Sequence, residues 1–147
     1  MKVSKKTAII AVDLQKSLTM PGGNNYYETA TEMMDRVAEN LNKMREKGAL
    51  IIYIWTKTQL SSGLTCAAPA INPDLEGRVL SKKTDEMLEL DDRLRVVPEK
   101  DLVICKHTYS AFWGTPLLEA LEQNGIENVV VCGIKTNICC RQTVVDS

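Results

Sequence analysis

The sequence predicts an α/β fold built on an open parallel sheet, and two observations carry that reading. Four short apolar runs rich in β-branched residues, Ala8 to Val12, Leu50 to Trp55, Leu102 to Cys105 and Val129 to Cys132, punctuate the chain. Helical patterns stand between them, and such alternation predicts parallel strands joined by helical crossovers. With 147 residues, 44% hydrophobic and 25% charged, the chain suits one domain over 1–147 with a proper core.

Each connection can be justified in turn. Between the first two runs, Met33, Val37, Leu41 and Met44 recur at helical spacing, and Gly48 is placed to end the helix. The stretch Thr56 to Pro73, with Gly63, Pro69 and Pro73, has no period and reads as a long loop, a kind that is often functional. A shorter helical patch covers Thr84 to Leu94. Before the fourth run, Thr115 can cap a helix and Pro116 suits its first position. Leu117, Leu118 and Leu121 then supply the apolar face, and Gly125 closes it. Gly133 permits a tight turn after the fourth run, and Thr136 or Asn137 can cap a helix that Cys139 begins. The sequence stops at Asp146-Ser147, inside that helix, so a C-terminal strand and helix are expected to be missing. An uncovered sheet edge makes a homo-oligomer the expected assembly.

Composition excludes several function classes. Lys and Arg total 18 against 19 Asp and Glu, a net charge of -1 that argues against a nucleic-acid surface. The apolar run after Lys5 and Lys6 is cut short by Asp13, too early for a signal-peptide core or a membrane span. A cytoplasmic protein with a small-molecule partner is the expectation. The five cysteines, Cys66, Cys105, Cys132, Cys139 and Cys140, follow no disulfide or metal-ligand spacing and suit free thiols in a reducing compartment. One histidine cannot build a three-ligand zinc site, and neither GxGxxG nor a P-loop lysine motif occurs. No metal and no cofactor are expected.

In open parallel sheets the ligand crevice lies beyond the carboxyl ends of the strands. Asp13 closes the first run, Lys106 closes the third, and Cys139 follows the fourth after the turn. A carboxylate leaving a buried strand is costly unless paired, so Asp13 and Lys106 are either a structural ion pair or part of a site. Cys139 is either a small core residue or a nucleophile, and a place at a helix start would ease loss of its proton. His107 neighbours Lys106 and should face the other way, because adjacent strand residues point to opposite faces.

Three segments together resemble the cysteine hydrolases of the isochorismatase-like superfamily. They are Ala11-Val12-Asp13-Leu14-Gln15, Lys106-His107-Thr108-Tyr109-Ser110-Ala111-Phe112 followed by Thr115, and Cys132-Gly133-Ile134-Lys135-Thr136-Asn137-Ile138-Cys139. They occur in the family's order and span nearly the whole chain. The resemblance implies helices on both faces of the sheet, a Rossmann-like three-layer sandwich. It also implies a triad of Asp13 as base, Lys106 as electrostatic stabiliser and Cys139 as nucleophile, acting through a thioester. An oxyanion hole at the backbone NH groups of Lys135 and Cys139, and a cis peptide between Ile134 and Lys135, follow from the same likeness. Ile134, Lys135, Gln15, Trp113 and Tyr109 are the expected substrate-binding residues, with Phe112 serving either the pocket wall or the core.

Departures narrow the choice. Nicotinamidases of the family carry histidine metal ligands after the second strand, where this chain has Trp55-Thr56-Lys57-Thr58-Gln59-Leu60 and no histidine. True isochorismatases lack the nucleophilic cysteine. The pair Thr136-Asn137 looks like members that hydrolyse N-carbamoyl or ureido compounds. A metal-independent amidohydrolase is therefore the leading expectation. A catalytically silent binding or regulatory relative is the alternative, and a thiol redox sensor at Cys139 and Cys140 ranks last because adjacent cysteines bond only with strain.

Overall fold

The computed structural model describes residues 3–23, 25–57 and 85–147. The expected loop at 56–73 and Cys66 lie, from residue 58 onward, outside the described residues. Four strands, β1 (Thr7–Val12), β2 (Leu50–Thr56), β3 (Leu102–Lys106) and β4 (Asn128–Gly133), form one parallel sheet in the order β3-β2-β1-β4. Each extends the expected run by one or two residues. Strand β1 lies inside the sheet, with Ile10 opposite Ile52 on one side and Val131 on the other.

Because strand side chains alternate, β1 and β2 feed two separate cores. Ile9, Ala11, Ile51 and Tyr53 pack with Leu14, Leu18, Met34, Leu41, Leu94 and Ile134. On the opposite face Ala8, Ile10, Val12, Ile52 and Ile54 pack with Ile104, Ala111, Leu117, Leu121 and Cys140. The first core is covered by helices α1 (Lys16–Thr19) and α2 (Glu28–Glu46), the second by α4 (Leu117–Gln123) and the segment after β4. The three layers expected from the resemblance are thus present. Among the described residues no helix is long and apolar enough to cross a membrane.

Local differences from the sequence reading have identifiable causes. The buried centre of α2 is Ala30, Met34, Ala38 and Leu41, so the stripe of Met33, Val37 and Met44 flanks the interface. Ala30 and Ala38 are small, so the large apolar residues of α2 mark a face one position away from the buried one. Helix α1 was not expected. The patch at Thr84 to Leu94 is no single helix. It divides into α3 (Asp85–Leu88) and a 3-10 turn, Asp92–Leu94. Between them the backbone is taken by the chain after β1: Lys16 N donates to Glu89 O and Asp91 N donates to Leu14 O. Asp91 then caps the 3-10 turn by accepting from Arg93 N. Before α4, Pro116 sits at the cap position, one residue earlier than expected, and Thr115 Oγ1 accepts from Leu117 N.

Gly133 allows β4 to end against β1. Its φ is 134°, and a Cβ there would lie 2.0 Å from the Val12 carbonyl oxygen, so no larger residue fits. Ile134 N donates to that same oxygen at 2.9 Å and fixes where the next residues emerge.

Candidate active site

Four polar side chains stand at or beyond the carboxyl ends of the four strands, in the order of the strands. Lys106 ends β3 and Thr56 ends β2, as register partners. Asp13 follows β1, its N–H held by Ile54 O at 2.8 Å. Cys139 follows β4. Asp13 has a φ of 54°, a left-handed conformation that aspartate tolerates better than most residues and that turns its carboxylate toward Lys106.

Lys106 is fully buried and Asp13 nearly so. The Lys106 Nζ lies 3.0 Å from Asp13 Oδ2 and donates to Thr56 Oγ1 at 2.5 Å and to the Thr108 carbonyl at 3.0 Å. The Thr56 hydroxyl donates in turn to Asp13 Oδ1 at 2.6 Å. The Cys139 thiol interacts with both the Asp13 carboxylate and the Lys106 ammonium. Asp13, Lys106 and Cys139, expected from three separate segments, therefore meet at one place.

Two features of Cys139 differ from the sequence reading. The segment Thr136–Cys140 is a single π-helical turn continued by α5 (Arg141–Asp146), and Lys135 occupies the cap position without a side-chain cap from Thr136 or Asn137. The thiol is not acidified either. Burial, followed by the Asp13 carboxylate, pushes Cys139 up to about 11, and Lys106 only partly opposes this. Asp13 and Lys106 largely neutralise one another, so the cysteine gains little net positive field from a pair that is already matched. This environment favours the neutral thiol.

The other expected residues are dispersed. Gln15 is buried with its amide engaged by backbone: Nε2 donates to Thr56 O and Leu88 O, and Oε1 accepts from Thr56 N. It braces the end of β2 against α3 and does not present free polar atoms to a substrate. Ile134 packs in the first core, and its peptide with Lys135 is cis, as expected. Lys135 holds its ammonium 5.5 Å from the centre of the Tyr27 ring. Tyr109 is 41% exposed and Trp113 72% exposed. Phe112 packs against the second core. His107 turns away from Lys106, its Nδ1 2.7 Å from Lys57 O, and Cys140 is buried in the core. Among the described residues no group of three or more His, Cys, Asp or Glu side chains is arranged to hold a metal ion.

Sequence reasoning missed Thr56 and Thr143. A threonine at a strand end is unremarkable until the strand order shows β2 lying between the strands of Asp13 and Lys106. Thr143 Oγ1 donates to Cys139 O at 2.8 Å and accepts from Ala111 N at 3.1 Å, tying α5 to the loop after β3.

An α/β sandwich with a carboxylate, an ammonium and a thiol converging on the carboxyl end of its sheet defines a class, the cysteine hydrolases. The chain belongs to the isochorismatase domain family, which matches residues 7–147. It is similar to the ureidoacrylate amidohydrolase RutB of Azorhizobium caulinodans, with 29% identity over 97% of this chain and 70% of that protein. Among solved structures it resembles a cysteine hydrolase from Pseudomonas syringae pv. phaseolicola, with a TM-score of 0.83 and 25% identity over 97% of this chain and 65% of that one. It also resembles an N-carbamoylsarcosine amidase from Thermoplasma acidophilum, with a TM-score of 0.75 and 27% identity over 96% of this chain and 75% of that one. The chain thus spans about two thirds to three quarters of the length of these relatives.

Proposed function

We propose that the protein is a cysteine amidohydrolase that cleaves a small amide, N-carbamoyl or ureido compound. The observation that carries this reading is the buried Asp13–Lys106 pair at the carboxyl ends of the strands, whose two charges both act on the Cys139 thiol. The relatives named for ureidoacrylate and N-carbamoylsarcosine support the substrate class.

Asp13 takes the Cys139 proton as sulfur attacks the carbonyl carbon. A thiol held neutral at rest suits this step, since the negative charge passes from carboxylate to sulfur to substrate oxygen without leaving the reach of Lys106. The backbone N–H groups of Lys135 and Cys139 receive the developing oxyanion. Asp13 returns its proton to the leaving nitrogen as the C–N bond breaks, and ammonia or an amine departs from the thioester. Water then attacks that thioester, giving one proton to Asp13. The C–S bond breaks and the sulfur recovers the proton. Nucleophile, base and compensating cation all come from side chains, and no step calls for a metal.

The test is ammonia release from a panel of ureido acids, carbamoyl amines and simple amides. Wild-type protein should turn over at least one member, before and after dialysis against EDTA. Cys139→Ser and Asp13→Asn should each lose about 10²- to 10⁴-fold in kcat/KM. Retention of turnover by Cys139→Ser on every active amide would overturn the reading, and silence of the wild type toward the whole panel would favour the silent alternative.

A further inference from the structure

We infer that Thr56 is a positioning residue of the catalytic centre, its hydroxyl being the joint that holds Asp13 and Lys106 in the geometry needed to deprotonate Cys139. This inference rests on the proposed use of Asp13 as the base.

The sheet order places β2 between β1 and β3, so the carboxylate and the ammonium must meet across the end of β2. Thr56 is the last residue of that strand and the register partner of Lys106. Its single hydroxyl accepts from Nζ of Lys106 at 2.5 Å and donates its one proton to Asp13 Oδ1 at 2.6 Å. The three Nζ protons are then accounted for by Thr56 Oγ1, Asp13 Oδ2 and the Thr108 carbonyl. Lys106 is fixed in position as a result. With Oδ1 tied to Thr56, the carboxylate cannot rotate freely, and Oδ2 is the oxygen left to face Lys106.

Gln15 repeats the logic one layer further out by holding both backbone groups of Thr56. The threonine is itself immobilised. Serine preserves the hydroxyl, whereas valine preserves the shape and removes both hydrogen bonds. Among the described residues, the titratable groups around Asp13 are Lys106 and Cys139, with Cys105 and Cys140 feeling its charge from further off.

The experiment measures the rate at which iodoacetamide alkylates Cys139, by peptide mass spectrometry, across pH 4 to 10. It needs no substrate and reports directly on removal of the thiol proton. Thr56→Val should slow alkylation at neutral pH by about ten- to hundredfold, the scale expected when a base is displaced from its working position. A hydrogen bond donated to an ionised carboxylate favours the charged form. Losing it should leave less of the base ionised and therefore move the inflection of the alkylation profile toward higher pH. Thr56→Ser should retain both the rate and the inflection of the wild type. Thr56→Ala provides a second deletion, should the valine variant not fold, and is expected to behave like it.

A wild-type profile in a folded Thr56→Val or Thr56→Ala protein would overturn the inference, as would a Thr56→Ser protein that is slowed like the deletions. A merely structural threonine would lower stability without moving the inflection. The underlying reading fails in a different way, through turnover by Cys139→Ser. The two failures are therefore distinguishable.

Discussion

Two ion pairs among the described residues, each with a buried carboxylate, differ in what each leaves unfinished. Arg45, near the end of α2, meets Asp101, just before β3, through Nε at 2.8 Å and Nη2 at 2.6 Å. That carboxylate also accepts from Val97 N, and the guanidinium reaches Asn42 Oδ1 and the Tyr53 hydroxyl, which donates on to Leu94 O. Every partner in the cluster is a structural group. At the carboxyl ends of the strands, Lys106 and Asp13 meet through a single 3.0 Å contact with a threonine wedged beside it, and both charges act on the Cys139 thiol. A planar bidentate clamp closes on itself, whereas a point-charge ammonium leaves a carboxylate able to accept a further proton. The difference teaches that burial and charge do not mark a site. What matters is whether a reactive group shares the pair.

The sharpest way to break this comparison is to cut the closed pair. Asp101→Ala leaves a guanidinium whose side chain is only 11% exposed without its counter-charge, and removing one partner of a fully buried pair costs about 3 to 5 kcal/mol, an upper bound here. Chemical denaturation should show that loss. Cys139 alkylation in the protein that remains folded should match wild type, because nothing in the Arg45 cluster touches the carboxyl ends of the strands. A slowed Cys139 would mean that the two ends are coupled.

How much of this could be read from the sequence follows the same division. The meeting of Asp13, Lys106 and Cys139 was legible because each stands at or just beyond the end of a buried run, and a charged or thiol residue there needs explaining. The four strands were legible for the same reason of composition. Thr56 was not, because its meaning depends on strand order, which no local pattern encodes. The state of the thiol was misjudged because a helix start was taken to decide it. In the structure burial, and then the Asp13 carboxylate that Lys106 only partly offsets, push the thiol up instead. The partners of Gln15, Thr56 and Leu88, were not legible either, because they come together with it only in the fold.

Alkaline pH separates the two regions with a smaller effect. Burial first, and then the Asp13 charge, push Cys140 up to about 12, and Cys139 beside it stands at about 11. An unfolded thiol ionises near 8.5. Above about pH 8.5 the folded state therefore holds protons that the unfolded chain has released, so stability is complete below that pH and is lost as pH rises toward 12. The slope is about 1.4 kcal/mol per pH unit for each such thiol. Removing Cys140 as Cys140→Ala should flatten the fall in unfolding free energy between pH 9 and 11 by about that slope. Tyr53, raised mainly by its burial at the other cluster, adds to the same fall and is unaffected by the substitution. An unchanged slope would show that Cys140 is not shielded from solvent as its packing requires.

The smallest expected effect comes from an exposed pair on the helix that also carries Arg45. Glu39 and Lys43 are one turn apart on α2, 2.5 Å from each other, with side chains 65% and 55% exposed. Glutamate precedes lysine, the favourable order for a helix, and the Lys43 hydrogen bond holds the Glu39 carboxyl below its usual range. Solvent nevertheless screens both charges in the folded and unfolded states alike, and two long side chains must be held still to keep the contact. Glu39→Gln should leave the thermal midpoint unchanged within measurement error at 0.15 M salt, in parallel with the large loss in Asp101→Ala. If the two substitutions cost the same, charge pairing alone would stabilise α2, and the distinction between closed, shared and solvated pairs would have no energetic basis.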